Sequence, residues 1–386
     1  MNKVKVLQVP LRNNRGGIAS YILGNWRFID RTKFTFDFIT FQDQIDFKDE
    51  LLAEGCNIHY VSCLPSVDKK RFYKEVHAIL DGGYDAIHLH TSRWTGIEFE
   101  EIAMERSIPN VIVHSHSIDI AVSPEDTERY KLFTERHEDI KYKFMSDWKR
   151  YATCLCACSD MAARWLYGDV LTDSEVYLLK NAVDITGFAF RTDIRETYRS
   201  SLNLADSFVI GHVGRFERVK NHEFIIRVFK EIVKSFPSAH LLLIGGGLGF
   251  QKIKSLTEEY RIANNVSFLG FRRDIAELMQ AMDVFVLPSL YEGLGIVLIE
   301  AQTAGLRCFA STATPPEAKI LPDMRFLPLE ESIWCSAILD AAQNGYERKD
   351  TSSIVEKAGY SIRDSVKVVE KLYCGHLKSE AGNVHK

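Results

Sequence analysis

The chain alternates short apolar runs with longer amphipathic stretches, and the alternation continues almost to its end. Short apolar runs bounded by turn residues are typical of buried strands, whereas apolar residues that recur at helical spacing are typical of helices packed on a core. A regular succession of the two predicts βαβ units, in which the strands form a parallel sheet. The pattern therefore predicts an α/β protein.

The apolar runs fall into two groups of strands. Seven strands are predicted in the first half, at residues 4–9, 34–41, 58–61, 86–89, 111–113, 153–157 and 176–179. Six more are predicted in the second half, at residues 208–213, 240–244, 266–269, 284–287, 307–310 and 325–327. Helices are expected between most of the strands, with clear examples at residues 68–80 and 127–150, and a final amphipathic helix at 361–377.

A chain of 386 residues exceeds what one hydrophobic core usually organises, so two domains are expected. The strand pattern restarts at residue 208, and the linker is placed near residues 182–190. We predict an N-terminal domain at residues 1–185, a C-terminal domain at 186–360, and a helix and tail at 361–386 that pack back on the N-terminal domain. Two such domains are expected to face each other across a cleft, with ligands beyond the carboxyl ends of the strands.

Charge and hydropathy exclude several classes of protein. The formal net charge of −4 argues against a nucleic-acid partner held by bulk electrostatics. The first residues do not have the pattern of a signal peptide, and no apolar run reaches the roughly 20 residues that cross a bilayer. We therefore expect a cytoplasmic protein.

Eight cysteines in a chain of this length do not indicate a disulfide framework. Cys154, Cys156 and Cys158 alternate, which in a strand places their sulfurs on one face. Packing is favoured over metal binding for these residues, because the chain has no C-x-x-C pair and no run of histidine ligands beside them.

Two glycines, Gly16 and Gly17, follow the first predicted strand and precede a helical run. Paired glycines there let a ligand approach the backbone closely, and the N-terminus of the helix offers free N–H groups to an anion. A plain turn explains the same residues equally well. The pair is therefore a candidate binding loop.

Two histidines, His114 and His116, end the strand predicted at residues 111–113. If the strand continues, its alternation places both imidazoles on the same side. A metal site is disfavoured, because no third ligand lies nearby in the sequence. A structural histidine with its hydrogen bonds satisfied and a histidine at a binding site both remain open.

Arg215 and Lys220 follow the first strand of the second half. The planar guanidinium and the point charge of the ammonium together suit a diphosphate whose negative charge grows as its bond to a sugar breaks. Two solvated side chains would be the simpler explanation. Their position just beyond a strand favours a role in binding.

The segment from Glu292 to Glu300 joins a strand end to an apolar helix through the turn Gly293-Leu294-Gly295. Glu300 falls on an otherwise apolar helix face, where a carboxylate needs partners. The two hydroxyls of a ribose would supply them, and Glu292 in the turn could reach a sugar. The alternatives are that Glu292 is an acid favoured at a helix start and that Glu300 pairs with a buried base.

These residues together resemble the retaining glycosyltransferases with the GT-B fold, the family that includes glycogen synthase, phosphatidylinositol mannosyltransferase and many capsule and exopolysaccharide enzymes. The resemblance covers essentially the whole chain and is strongest over residues 209–317. It implies two Rossmann-like domains with parallel sheets.

The resemblance assigns roles in the C-terminal domain. Glu292 and Glu300 match the paired glutamates of the family, of which the first lies near the transferred sugar and the second binds the nucleotide ribose. Arg215 and Lys220 match the cations on the donor diphosphate. The turn at residues 293–295 contributes to donor binding.

The resemblance also assigns roles in the N-terminal domain. Gly16 and Gly17 match the glycine loop, and His116 fits best the histidine that touches the donor sugar, with His114 as second choice. Three places depart from the family pattern, and one of them is the segment Gly305-Leu306-Arg307-Cys308, which stands where G-x-P-V is common. Leu294 stands where phenylalanine is usual, and Gly246 stands where an acid is frequent, so no donor contact is assigned to the turn containing Gly246.

The implied activity is transfer of a hexose or N-acetylhexosamine from a nucleotide diphosphate-sugar, preferably a UDP-sugar, to a glycan or lipid-linked acceptor in polysaccharide biosynthesis. The chain contains no D-x-D element, by which another transferase class holds Mg²⁺. We therefore expect no cofactor and no metal. Arg215, Lys220 and the helix N-terminus near Gly293 would neutralise the leaving diphosphate.

Two other functions and one location remain open. A GT-B architecture also serves UDP-sugar 2-epimerases, and a non-catalytic partner that stabilises another transferase is possible in principle. Basic and aromatic residues at 68–80 and 141–151 could contact anionic lipid, although an ordinary solvated helix explains them equally well.

Overall fold

The computed structural model describes residues 3–13, 17–116, 127–169 and 175–375. The strands are β1 Val4–Val9, β2 Phe34–Thr40, β3 Ile58–Tyr60, β4 Ala86–Thr91, β5 Asn110–Ser115, β6 Cys154–Ala157, β7 Val176–Leu178, β8 Phe208–Val213, β9 Ala239–Ile244, β10 Val266–Gly270, β11 Val284–Leu287, β12 Arg307–Ser311 and β13 Arg325–Leu327. Each predicted strand is thus confirmed, with small shifts at its ends.

The helices alternate with the strands along most of the chain. They are α1 Gly17–Phe28, α2 Lys48–Ala53, α3 Lys69–Leu80, α4 Glu98–Glu105, α5 Thr127–Ser146, α6 Asp160–Tyr167, α7 Ile185–Phe188, α8 Thr192–Ser201, α9 His222–Ser235, α10 Phe250–Glu259, α11 Ile275–Ala281, α12 Ile296–Thr303, α13 Glu331–Asn344, α14 Ser352–Lys357 and α15 Ile362–Tyr373. No helix among the described residues is both long enough and apolar enough to cross a membrane.

The chain divides into two compact units. Unit 1 comprises the described residues up to Asn181 together with those from Ile362 onward, and unit 2 comprises Ala182–Ser361. The helix α15 therefore belongs to unit 1, although it is the last element of the chain. The region near residues 182–190, expected to be a linker, contains the short helix α7 and belongs to unit 2.

Unit 1 contains a parallel sheet of seven strands in the order β3-β2-β1-β4-β5-β6-β7. One face of this sheet is apolar and packs in a core with Phe72 and Val76 of α3. The other face carries polar residues on its central strands, and Tyr373 of α15 contacts that face. Most apolar side chains of α15, including Val369, are buried in unit 1.

Unit 2 contains a parallel sheet of six strands in the order β10-β9-β8-β11-β12-β13. The winding of the sheet reverses between β8 and β11, which pair directly. In open parallel sheets such a reversal leaves a crevice at the carboxyl ends of the two strands, where ligands commonly bind. The loops that follow β8 and β11 are therefore the first place to examine for a site in unit 2.

Candidate active site

The loop that follows β8 is tied to the neighbouring strand end by backbone hydrogen bonds. Gly214 N–H donates to the carbonyl of Ile244 (2.9 Å), and Phe216 N–H donates to the carbonyl of Gly246 (2.9 Å). Gly245 has a φ of +138°, and a Cβ placed on it would lie 2.1 Å from the oxygen of Gly214. Only glycine fits there, so Gly245 lets the two loops close together and fixes the path of the chain toward Arg215.

Lys220 and Glu292, predicted on separate loops, meet in the structure. Lys220 Nζ lies 2.5 Å from Glu292 Oε1, and the two side chains are 19% and 11% exposed. The Ser289 hydroxyl donates to the same carboxylate oxygen (2.6 Å), and the Ser311 hydroxyl donates to the carbonyl of Ser289 (2.5 Å). The ends of β8, β11 and β12 are therefore linked around one carboxylate.

Arg215 also has an acidic partner. Its guanidinium forms an ion pair with Glu217 (2.7 Å), and both side chains are more than one third exposed. Exposed pairs of this kind contribute about 0–1 kcal/mol to stability, so a ligand with greater charge displaces the partner at small cost. Each cation predicted from the sequence is thus held by a carboxylate in the free protein.

The turn between β11 and α12 uses glycine for a specific backbone conformation. Gly295 precedes the first residue of α12 and has a φ of +75°. A Cβ there would approach Leu287 and Leu298 to 3.4 and 3.3 Å. Leu294 is buried, so this position keeps a hydrophobic side chain in the core although leucine replaces the usual phenylalanine. The conformation of Gly295 directs the N-terminus of α12, with its free N–H groups, to the end of the sheet where Glu292 lies.

Glu300 lies in the second turn of α12 and is half-buried. Among the residues that the structure describes, none donates a hydrogen bond to its carboxyl group, and burial raises its pKa to about 8. A group with that pKa is mostly protonated near neutral pH. The predicted alternative, a buried base paired with Glu300, is absent from the described part of the chain.

Two buried histidines beneath the β8 loop were not singled out from the sequence. His212 Nδ1 donates to the carbonyl of Val286 (2.9 Å), and its ring lies against Gly214, where a Cβ would be 2.9 Å from Nε2. His222 stacks on Phe216 with ring centroids 4.2 Å apart. Burial lowers the pKa of His212 to about 4 and that of His222 to about 2. The signal in the sequence that could have identified His212 was its place close to Gly214 and Arg215, at the end of a predicted strand.

In unit 1, the glycine pair is only partly described. Gly16 lies outside the described residues, and Gly17 is the first residue of α1. A Cβ placed on Gly17 would meet no atom of the described residues within 4 Å. Packing against the described residues therefore does not require glycine at position 17.

His114 and His116 lie on the polar face of the unit 1 sheet, and both are buried. The prediction that they share one side is confirmed, because β5 extends to Ser115 and His116 N–H continues the ladder by donating to the carbonyl of Thr91 (2.9 Å). On the next strand, β4, His90 pairs in register with His114. The two rings therefore belong to a larger cluster.

The expectation that no third ligand lies near these histidines is wrong. One ring nitrogen from each of His88, His90 and His114 lies within 4.8 Å of the others. These residues come from two neighbouring strands, and only the parallel pairing of β4 with β5 brings them together. The sequence separation of 24 residues concealed this contact, because spacing along the chain reveals ligands on one element only.

Of the alternating cysteines, Cys154 and Cys156 lie on β6, beside the same cluster, and Cys158 directly follows the strand. Cys154 and Cys156 are buried, with their sulfurs 3.8 Å apart, and Cys156 pairs in register with His114. The sequence has no run of histidine ligands near these cysteines, but strand pairing brings His114 beside Cys156. Burial raises the pKa of the Cys156 thiol well above its usual range, so the thiol is protonated.

Comparison with known proteins identifies the family. Residues 193–324, which include the β8 loop and α12, match the family model described as glycosyl transferases group 1. EpsF of Bacillus subtilis (strain 168), named as a glycosyltransferase, is 31% identical over 378 residues, which cover 96% of this chain and 96% of that protein. A galactosyltransferase of Escherichia coli, named for UDP-Gal and a GlcNAc-diphosphoundecaprenol acceptor, is 28% identical over 237 residues, or 59% of this chain and 58% of that protein.

Comparison with solved structures identifies the fold. The structure of Anabaena HepE in complex with UDP and glucose superposes with a TM-score of 0.75 at 18% identity, and the alignment covers 96% of this chain and all of that one. The fold is therefore that of the GT-B glycosyltransferases, with two Rossmann-like units. Given its similarity to EpsF over nearly the full length of both chains, this chain belongs to the glycosyltransferases of group 1.

Proposed function

We propose that the protein transfers a hexose or N-acetylhexosamine from a UDP-sugar to a glycan or lipid-linked acceptor in polysaccharide biosynthesis, with retention of anomeric configuration. The observation that carries the proposal is the grouping of Lys220, Glu292 and the N-terminus of α12 at the reversal point of the unit 2 sheet. Such a grouping suits an anion joined to a polyhydroxyl ligand.

The donor diphosphate is assigned to Arg215, Lys220 and the N-terminus of α12. Both cations pair with carboxylates in the free protein. A diphosphate carries more negative charge than one carboxylate and accepts several hydrogen bonds, so it replaces Glu217 and Glu292 as the partner of these cations. The α12 N–H groups add a partial positive charge.

Glu300 is assigned to the nucleotide ribose. Its carboxyl group is half-buried and lacks a hydrogen-bond partner among the described residues. Two adjacent hydroxyls donate two hydrogen bonds to a carboxylate, which stabilises the ionised form and lowers its pKa. The ribose thus supplies what the free protein lacks at Glu300.

The transferred sugar is assigned to Glu292 and His116. When the diphosphate binds Lys220, Glu292 keeps the hydrogen bond from the Ser289 hydroxyl and can accept further hydrogen bonds from sugar hydroxyls. The assignment of His116, with His114 as second choice, rests on the resemblance.

The chemistry is proposed to need no metal and no cofactor, in keeping with the lack of a D-x-D element. The bond between the anomeric carbon and the diphosphate oxygen breaks, and the acceptor oxygen bonds to the same face of that carbon. The acceptor proton passes to the departing diphosphate oxygen. Arg215 and Lys220 stabilise the charge that develops on the diphosphate.

The choice of UDP and of a lipid-linked acceptor is supported by the relatives. The Escherichia coli relative is named for a UDP-sugar and a diphosphoundecaprenol-linked acceptor, and HepE was crystallised with UDP. A lipid-linked acceptor requires an approach to a membrane surface. On α5, the exposed Tyr142 stands between Lys141 and Lys143 in the sequence, and this combination of an aromatic ring and cations suits peripheral contact with anionic lipid. Equal flotation with neutral and anionic liposomes would contradict that contact.

A thermal-shift screen of nucleotide sugars, followed by an assay of donor consumption with acceptor, tests the proposal. Arg215→Ala should slow donor consumption by at least about tenfold, because it removes a charge-assisted hydrogen bond to the leaving group. Arg227→Ala is the matched control, since Arg227 forms a similarly exposed pair with Glu331 (2.5 Å). Equal rates in the two variants would remove Arg215 from the mechanism.

The same assay in D₂O separates transfer from 2-epimerisation. An epimerase exchanges a carbon-bound proton and incorporates deuterium into the sugar, whereas a transferase does not. Deuterium in the recovered sugar would contradict the proposed transfer.

A further inference from the structure

Four buried histidines lie on two neighbouring strands of the unit 1 sheet. His88 and His90 lie on β4, His114 is on β5, and His116 directly follows β5. Tyr21 of α1 contacts all four rings, with centroid distances between 4.9 and 6.2 Å. Polar groups at this depth require partners, so the hydrogen bonds of the cluster determine its stability.

These rings form one hydrogen-bonded chain with Gln8 and Tyr373. In order, its contacts are His116 Nε2 to His90 Nδ1 (2.8 Å), His90 Nε2 to Gln8 Oε1 (2.7 Å), Gln8 Nε2 to the Tyr373 hydroxyl (2.8 Å), that hydroxyl to His88 Nδ1 (2.8 Å), and His88 Nε2 to His114 Nδ1 (3.1 Å). The end atoms, His116 Nδ1 and His114 Nε2, are buried and have no hydrogen-bond partner in the described part of the chain.

The contacts from Gln8 through His90 to His116 form the first arm of the hydrogen-bonded chain, and the amide of Gln8 sets their direction. Burial lowers the pKa of the four imidazoles, to about 3 in His116, so each ring is neutral near pH 7 and carries one N–H and one bare nitrogen. The carbonyl oxygen of Gln8 only accepts, so His90 Nε2 holds the hydrogen and His90 Nδ1 is bare. The bond to His90 Nδ1 must then come from His116 Nε2–H, which leaves His116 Nδ1 as a lone pair.

The second arm runs in the opposite sense. The Gln8 amide donates to the Tyr373 oxygen, and the Tyr373 hydroxyl then donates to His88 Nδ1. His88 Nε2–H donates to His114 Nδ1, so His114 ends the chain with an N–H. The two histidines predicted from the sequence therefore differ chemically: His116 presents an acceptor and His114 presents a donor.

We propose that Gln8 and His90 are positioning residues that hold His116 in the Nε2–H tautomer, so that its Nδ1 accepts a hydrogen bond from a hydroxyl of the donor sugar. This inference rests on the proposed function, which places His116 at the sugar. A neutral imidazole that accepts is suited to a sugar hydroxyl, whereas the opposite tautomer would present an N–H to it. The direction of the hydrogen-bonded chain thus explains why an acceptor nitrogen occurs at His116 and not at His114.

A bound metal is the competing explanation of the cluster. One nitrogen each of His88, His90 and His114 lies within 4.8 Å of the others, which would allow coordination. However, both ring nitrogens of His88 and both of His90 already take part in hydrogen bonds of 2.7 to 3.1 Å, so coordination of a metal by these two residues would break part of the hydrogen-bonded chain. The hydrogen-bonded chain uses every nitrogen except the two at its ends.

The first test reads the tautomers directly and needs no ligand. Protein labelled with ¹⁵N-histidine should show a protonated Nε2 and a bare Nδ1 for His116, identified by the signals lost in His116→Gln. In Gln8→Leu the fixed direction is lost, and His116 should show a mixture of tautomers. A protonated Nδ1 in the wild-type protein, or a stoichiometric transition metal in the purified protein, overturns the proposal.

The second test compares binding of UDP with binding of the UDP-sugar that gives the largest thermal shift. Gln8→Leu should weaken the UDP-sugar about three- to tenfold, the value of one neutral hydrogen bond, and leave UDP unchanged. His88→Leu is the matched control, because it disrupts the other arm of the same buried chain and should leave both affinities within twofold.

The outcomes distinguish failure of the proposed function from failure of the positioning role of Gln8 and His90. If the wild type binds neither ligand, the proposed function fails, and the role of His116 fails with it. If both bind but Gln8→Leu and His88→Leu behave alike, the proposed function stands and the positioning role is wrong. A loss confined to the UDP-sugar in Gln8→Leu supports both.

Discussion

At the scale of single residues, two carboxyl groups on one short segment have different environments. Glu292 is bound by Lys220 and Ser289, whereas Glu300 has no such partner among the described residues and has a pKa raised to about 8 by burial. The first group is stabilised by the protein itself. The second is unfavourable in the free protein, which is the expected state of a group whose partners arrive with a ligand.

Replacing Glu300 by Gln should therefore stabilise the protein and weaken nucleotide binding. Above the ordinary pKa of 4.5 the unfolded chain releases this proton while the folded protein retains it up to about pH 8. Stability thus falls by roughly 1.4 kcal/mol per pH unit across that window, and Glu300→Gln removes the loss. Melting temperatures at pH 5 and pH 8 measure this effect, which should be small at the lower pH and several degrees at the higher.

The same variant should bind UDP about tenfold or more weakly, because the ribose loses charge-assisted hydrogen bonds. Isothermal titration measures this, and the exposed Glu259→Gln serves as the control. Loss of stability together with unchanged UDP affinity would show that Glu300 has a structural role only.

At the scale of elements, the strands were predictable because buried parallel strands are short apolar runs between turns. The helix α8 was not, because its sequence is polar and no residue of the helix is buried. The placement of Arg215 and Lys220 beyond β8 also followed from the sequence. Their ion pairs did not, since Lys220 meets Glu292 only after β8 and β11 become neighbours.

The polar cluster of unit 1 also depends on contacts between strands that the sequence alone does not reveal. His114 and His116 were visible as a pair on one element. His88, His90 and Gln8 were not connected with them, because register between strands cannot be deduced from spacing within a strand.

Two glycines, Gly245 after β9 and Gly17 at the start of α1, should respond differently to alanine. Gly245→Ala should cost more than about 3 kcal/mol or prevent folding of unit 2, because its Cβ would lie 2.1 Å from the oxygen of Gly214 and φ is +138°. Gly17→Ala should change stability by less than about 0.5 kcal/mol, because no described residue has an atom within 4 Å of the added Cβ. Chemical denaturation measures both.

If Gly17 allows a ligand to approach the backbone, Gly17→Ala should still weaken binding of the donor. A variant with both stability and donor affinity unchanged would exclude Gly17 from the binding site.

At the scale of the whole molecule, each unit has its own core, and the last helix of the chain completes unit 1. Two adjacent valines of α15 test this assignment, because Val369 is fully buried and Val368 is 40% exposed. Val369→Ser should destabilise unit 1 by about 2 kcal/mol or more, whereas Val368→Ser should change it by less than about 0.5 kcal/mol. Hydrogen exchange of the β4 and β5 backbone measures the stability of unit 1, and equal exchange in the two variants would contradict the assignment.

Unit 2 should lose stability in mild acid. The pKa values of His212 and His222 are lowered to about 4 and about 2, below the ordinary 6.5. Below pH 6.5 the unfolded chain takes up protons that the folded unit does not, so each histidine removes roughly 1.4 kcal/mol per pH unit until its own folded pKa is reached. His222→Phe should keep the stacking on Phe216 and reduce the loss between pH 6.5 and 5. An undiminished loss in that variant would show that other groups are responsible.

Binding of a nucleotide diphosphate at the carboxyl ends of β8 and β11 is the central requirement of the proposed function. A crystal structure of the protein with UDP tests this most directly. We predict the pyrophosphate within hydrogen-bonding distance of Arg215 and Lys220, and the ribose hydroxyls on Glu300. UDP bound elsewhere, with Arg215 still paired with Glu217 and Lys220 still paired with Glu292, would contradict the account.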